Sequence, residues 1–110
     1  MKMIFVCSPY RGDIEENTKK AKRYCQRISN HGHAPIAPHL FCTQFLDDRL
    51  SNQRNEGIRI GLEFLNRCDE LWVCSETITV GMEQEIRHAL KPEVSVKVIF
   101  YNELKNKGLI

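Results

Sequence analysis

Hydrophobic positions along this chain fall into two kinds of run: short apolar blocks, and longer stretches in which apolar residues return every three or four positions. Met3-Ile4-Phe5-Val6-Cys7 is a block of the first kind, stopped by Ser8-Pro9, and predicts a strand buried on both faces. Ile14, Thr18, Ala21, Cys25 and Ile28 then recur at helical spacing. Asp13 stands where it can cap that helix, with Glu16 three residues on as the return half of a capping box. Acidic residues lead the helix and basic ones follow, which suits its dipole, and Gly32 ends it. Ala34-Pro35-Ile36-Ala37-Pro38 is extended and apolar, but its two prolines cannot donate to a ladder, so it predicts a short edge strand. From His39 to about Ser51 no period is visible, and the stretch reads as a long connection of the functional or mobile sort. A second helix is expected from about Asn52 to Arg67, with Ile58, Leu62 and Leu65 on one face.

Leu71-Trp72-Val73-Cys74 predicts the next buried strand, and Ser75–Val80 a polar loop after it. Met82, Ile86, Ala89 and Leu90 mark a third helix that Pro92 prevents from continuing. Val94, Val96 and Val98 alternate ahead of Ile99 and Phe100, giving a fourth strand, and Asn102–Ile110 is too short to classify. Strand and helix thus alternate throughout. This order predicts an α/β fold of three layers, α/β/α, around a short, mainly four-stranded parallel sheet of the flavodoxin or Rossmann kind. A length of 110 residues leaves room for one core, so residues 1–110 are expected to form a single domain.

Composition narrows the setting. Hydrophobic residues are 42% and charged residues 27% of the chain, an ordinary globular balance, and no apolar run approaches the roughly 18 residues of a membrane span. With no secretory signal pattern at the start, a cytoplasmic protein without membrane contact is expected. The five cysteines, Cys7, Cys25, Cys42, Cys68 and Cys74, form no C-x-x-C pair and read as reduced core residues. A net charge of +2 is too weak a bias to argue for a nucleic-acid polymer as partner, and Lys19, Lys20, Lys22, Arg23 and Arg27 read as the solvated face of the first helix.

In sheets of this type, the loops leaving the C-terminal strand ends meet at a crevice where ligands bind. The first loop, Ser8-Pro9-Tyr10-Arg11-Gly12-Asp13, offers a hydroxyl, an aromatic face and a guanidinium just before a helix, groups that suit a sugar, base or phosphate. It has neither P-loop nor G-x-G-x-x-G spacing, and Pro9 and Gly12 also serve simply to shape a turn. After the third strand, Gly81-Met82-Glu83-Gln84-Glu85 brings two carboxylates near a helix start. At about 100° per residue, Glu83 and Glu85 flank the apolar stripe on opposite sides, so periodicity does not choose between them. A helix N-terminus favours the ionised carboxylate that a nucleophile or base needs. His31, His33 and His39, with Cys42, match no closed zinc spacing, and no metal or cofactor is expected. His39 stands at the end of the second strand, where it can touch a ligand.

Phe5-Val6-Cys7-Ser8-Pro9-Tyr10, Arg11-Gly12-Asp13, Ala37-Pro38-His39-Leu40, Cys68-Asp69-Glu70-Leu71-Trp72-Val73 and Gly81-Met82-Glu83-Gln84-Glu85, in this order, resemble the nucleoside 2-deoxyribosyltransferase-like superfamily, and within it the short bacterial and phage members. The resemblance implies an enzyme that hydrolyses the N-glycosidic bond of a nucleoside or nucleotide, or transfers its (deoxy)ribosyl group. It implies Glu85 as the nucleophile, since counting from Asp69 places Glu85 at the matching position. It further implies substrate contacts from Ser8 to Asp13, the loop holding the sugar or a 5′-phosphate, and from His39, Asp69, Gly81 and Met82. A homo-oligomer in which a neighbouring subunit completes the site is implied as well. One position departs: the family's acidic residue about eight places before Asp69, which helps the base leave, is Gly61 here. General-acid help is commonly worth about 10²–10⁴-fold in rate. A binding module that recognises a nucleotide without cleaving it is therefore the alternative.

Overall fold

A computed structural model describes Met1–Ile110. Its four strands are β1 (Met3–Cys7), β2 (Ala34–Ile36), β3 (Glu70–Val73) and β4 (Lys97–Ile99). The helices are α1 (Ile14–Asn30), α2 (Pro38–Phe41), α3 (Ser51–Asn66), α4 (Val80–Ala89) and α5 (Tyr101–Asn106), with a 3₁₀ turn over Cys42–Gln44 directly after α2. All strand pairs are parallel, in the order β2-β1-β3-β4. The chain therefore builds outward from β1 in one direction and then reverses, which creates a switch point between β1 and β3.

Alternation along the two central strands divides the core. Ile4, Val6, Trp72 and Cys74 point to one face, where Ile28 of α1 and Leu104 of α5 cover them. Phe5, Cys7, Leu71 and Val73 point to the other, against Leu65 of α3 and Met82, Ile86 and Ala89 of α4. Both faces of β1 and β3 are buried, which is why these strands read as continuous apolar blocks. The three-layer α/β/α architecture is as expected. β2 is an edge strand of three residues, as Pro35 requires, while Pro38 falls outside it.

The helix boundaries follow local chemistry. Asp13 caps α1, its carboxylate accepting from the Glu16 N–H at 3.1 Å. The return half of the box does not form as drawn from the sequence; the Glu16 side chain pairs with Arg23 at 3.6 Å. Gly32, at φ +83°, turns the chain out of α1. Thr79 caps α4 by accepting from the Met82 N–H at 3.2 Å.

Three expectations need correction, and the unclassified tail gains an element. The supposed loop after His39 begins with α2, in which Pro38 takes the first helical position, where a missing N–H costs nothing. The Thr43 hydroxyl and Gln44 amide then donate to the carbonyls of His39 and Leu40, at 2.7 and 3.0 Å, and tighten the following turn. The tail is also ordered: α5 buries Leu104 completely, and Leu109 and Ile110 pack beside it. β4 is shorter than the valine alternation suggests, spanning three residues. Finally, Leu90 and Ile58 leave the core stripes to which they were assigned. Leu90 follows the last residue of α4 and is 61% exposed, and Ile58 is 42% exposed on the wall of a cavity.

Candidate functional site

At the C-terminal ends of β1 and β2, the helices α2, α3 and α4 enclose a cavity of about 570 Å³, a volume within the range of small-molecule sites. Glu85 lies in its wall. The tie that helical periodicity left between two carboxylates is broken by what each flank of α4 meets. Glu83 is exposed and pairs with Arg87 one turn on, whereas Glu85 faces the cavity beside the Cys7 thiol of β1. Burial raises the Glu85 carboxyl to about 8, and the Cys7 thiol offsets this only in part. Burial drives the Cys7 thiol itself far up, further than its neighbour Glu85 does. The expected stabilisation of ionised Glu85 by the helix N-terminus does not hold: α4 begins at Val80, so Glu85 lies in the second turn, beyond the reach of that effect. Desolvation dominates, and Glu85 carries its proton at neutral pH.

Two further polar groups on the wall lack partners. The Ser8 hydroxyl at the end of β1 and Nε2 of His39 on α2 are both shielded from water, and neither makes a hydrogen bond within the protein. Burial lowers the His39 imidazole to about 4, so it is neutral at pH 7. Its ring lies 5.2 Å from that of Tyr10 at an interplanar angle of 39°, forming a tilted aromatic step. Buried groups in folded proteins are overwhelmingly hydrogen-bonded, so two orphans in one wall are a directional feature.

The loop after β1 divides between ligand-facing and scaffolding residues. Ser8, Tyr10 and Arg11 line the cavity; Pro9, Gly12 and Asp13 do not. Gly12 adopts φ +99°, a left-handed conformation that the turn requires. The Asp13 carboxylate is engaged in capping α1, and Asn17 ties the loop down through the carbonyls of Tyr10 and Arg11, at 3.0 and 3.1 Å. Arg11 is not free either, since its guanidinium holds Asp48 at 3.3 Å. Gly81 and Met82 line the cavity, Met82 while fully buried under the sheet. Asp69 is at the wrong end: it precedes β3, and its carboxylate accepts from the Met3 N–H at 2.7 Å. The histidines read together in the sequence are also separated. His33 stacks edge-on to Trp72 at 6.4 Å and accepts from the Lys2 N–H, while His39 faces the cavity.

Gly61 does line the cavity, on α3, where an added Cβ would lie 3.5 Å from Pro38. No acid stands there, and the acid that reaches the wall besides Glu85 is Asp48, a residue that sequence reading does not single out. Arg54 and Gln53, from the start of α3, carry no signal in the sequence either: they lie beside a stretch without period or motif, on a helix face that reads as solvent-exposed, yet both line the cavity. Gln53 accepts from the Asp47 N–H at 2.6 Å, and Arg54 donates to the Asp48 carbonyl at 3.4 Å, so together they shape the loop that presents Asp48.

A family profile described as "Domain of unknown function (DUF7768)" matches residues 2–99. Among solved structures, the chain is similar to the 2-deoxyribosyltransferase from the psychrotolerant bacterium Bacillus psychrosaccharolyticus, described as a biocatalyst for the synthesis of antiviral and antitumoral nucleosides. The likeness has a TM-score of 0.69 at 16% identity and covers 89% of this chain and 72% of that one, a similarity of fold. No protein of curated function matches in sequence. No helix is long and apolar enough to cross a membrane.

Proposed function

The chain belongs to the family described as domain of unknown function DUF7768, and for this member we propose an enzyme that breaks the N-glycosidic bond of a nucleoside or nucleotide, with Glu85 as nucleophile. The observation that carries this reading is a single half-buried carboxyl, without an ion-pair partner, in the wall of a cavity at the C-terminal end of the sheet. The likeness in fold to a 2-deoxyribosyltransferase agrees with it. In the reaction, an ionised Glu85 oxygen attacks the anomeric carbon. The bond to the base breaks with its electron pair leaving on the base, and a glycosyl ester of Glu85 remains, as in retaining glycosidases. Water resolves the ester in hydrolysis, and a second base resolves it in transfer. The Tyr10–His39 step offers a surface for the base, and the Ser8 hydroxyl and His39 Nε2 offer hydrogen bonds that the ligand would complete.

Free-base release from a panel of nucleosides and nucleotides tests the proposal. Glu85→Ala should reduce release by about 10⁴-fold, the scale on which removal of an enzyme's central groups is felt, while Glu83→Ala should leave it within about twofold. Because the free protein holds the Glu85 proton up to about pH 8, kcat/KM should rise about tenfold per pH unit from pH 6 and level off above 8. No rise over that range, or equal losses in the two alanine variants, would sink the assignment. A second reading is favoured by the same proton and by the absence of an acid at Gly61: a module that binds its nucleotide without cleaving it. That reading requires a nucleotide to raise the melting temperature with no base released.

A further inference from the structure

The Cys7 thiol stands between two acceptors. Cys7 is the last residue of β1 and is fully buried, and its Sγ lies 3.8 Å from the Met82 carbonyl oxygen on α4. Glu85 is three residues beyond Met82, so its side chain leaves the same face of α4 one turn on. There its carboxyl meets the same thiol. A thiol has one hydrogen to donate, and the two acceptors compete for it.

The outcome depends on the state of Glu85. The Met82 carbonyl stands inside α4, where it also serves the N–H four residues on, and at 3.8 Å it holds the S–H loosely. A protonated carboxyl competes little with it, whereas a carboxylate is a far stronger acceptor. The thiol does not itself become an anion around neutral pH, because burial drives its ionisation far up. It stays a donor while Glu85 changes state beside it.

No other group of the wall takes this part. The titratable and charged side chains that share the cavity with Glu85 are Tyr10 and Arg11 after β1, His39 on α2, Cys42 in the turn behind it, Asp48 before α3, and Arg54 within α3. Burial and the Cys7 bond are what move the Glu85 carboxyl, and none of those groups does. β3 and β4 present Leu71, Val73 and Val98 to this layer, all apolar, and Glu83 of α4 is engaged with Arg87 on the other flank.

We infer that Cys7 is a positioning residue for Glu85: its S–H turns from the Met82 carbonyl to one carboxylate oxygen as Glu85 ionises, which leaves the other oxygen to attack in the cavity. The inference rests on the reading of Glu85 as nucleophile and assigns what steadies that nucleophile once its proton has gone.

The NMR signal of the Glu85 carboxyl carbon, assigned by its loss in Glu85→Gln, follows the titration in the free protein without substrate. Cys7→Ala removes the donor and should move the midpoint up by about half a pH unit to one unit, the worth of a weak hydrogen bond to an anion. Cys7→Ser supplies a donor again and should return the midpoint to the wild-type value or below it. In the wild type, one of the five infrared S–H bands should shift to lower frequency over the same pH range, a readout that needs no cysteine variant to fold. The rise of kcat/KM with pH should follow the midpoint, so that Cys7→Ala loses about threefold to tenfold at pH 7 and Cys7→Ser recovers the loss. A midpoint unchanged in Cys7→Ala, a midpoint raised as much by serine as by alanine, or S–H bands that ignore the titration would each overturn the inference and leave the glycosidic reading standing. Absence of base release from the wild type, with the midpoint shifts intact, would overturn the nucleophile reading and keep the thiol–carboxylate contact.

Discussion

Glu70 and Glu85 are both acids sunk into the sheet region, one at each end, and their surroundings differ. At the N-terminal end Glu70 is 6% exposed, yet it accepts from Lys2 at 2.7 Å and from the Trp72 indole N–H at 2.8 Å. Burial pushes its carboxyl up, but those bonds outweigh it, and the net shift is downward. Nearby, Asp69 takes the Met3 N–H and His33 the Lys2 N–H, so the polar groups there are met from within the chain. At the C-terminal end Glu85 has the weak Cys7 thiol for company, and its carboxyl rises to about 8. Ser8 and His39 are unmatched beside it. One end of the sheet is finished as structure. The other is left open at a cost in stability, the pattern expected where a ligand supplies the missing partners.

The contrast breaks most visibly at Glu85. A carboxyl whose pKa is raised on folding stabilises the folded state below its unfolded value and loses that contribution as pH rises through the folded one. Between about pH 4.5 and 8 the wild type should therefore weaken, by about 1.4 kcal/mol for each pH unit between the two values at full effect. Glu85→Gln keeps the shape without the titration. Thermal melts should show the variant level with the wild type at pH 4, then pulling ahead by up to a few kcal/mol at pH 8 and holding that lead above it; a constant offset at every pH would contradict this account. Next in size is Glu70→Ala, which leaves the Trp72 indole N–H without its acceptor and should lower stability by about 1–3 kcal/mol at pH 7. Here the sign is reversed. The depressed carboxyl contributes above its unfolded value and fades as pH falls, so the gap between variant and wild type should narrow in acid. The smallest effect belongs to Ser8→Ala. Removing a buried hydroxyl that makes no bond should change stability by less than about 1 kcal/mol, and in the favourable direction, while weakening ligand binding. A larger loss in the melt would mean that Ser8 serves the fold.

Sequence reading reached furthest where the physics is local or periodic. The apolar block of β1, the Asp13 cap and Pro35 of β2 each dictate one conformation, and the structure adopts it. It failed where an element is too short to show a period. The four residues of α2 carry no stripe, and Pro38 reads as extended until its place at a helix start is seen. The six residues of α5 are held by Leu104 docking under the sheet, a contact the sequence does not display. In the site, the rotation of α4 left Glu83 and Glu85 equivalent, and only the neighbours on each flank separate them. Asp48 and Arg54 lie outside every motif, and folding alone brings them to the same wall as Arg11.

Gly61 carries a lesson for anyone wishing to redesign this cavity. A Cβ there would meet the Pro38 ring at 3.5 Å, an ordinary van der Waals contact, so position 61 has room for a side chain beside the start of α2. Grafting a carboxylate onto α3 is thus a one-site exchange, made in a wall where Pro38, His39 and Cys42 already stand. The glycine leaves a vacancy in the lining beside the proline, and a catalyst rebuilt at this position begins with the glycine alone.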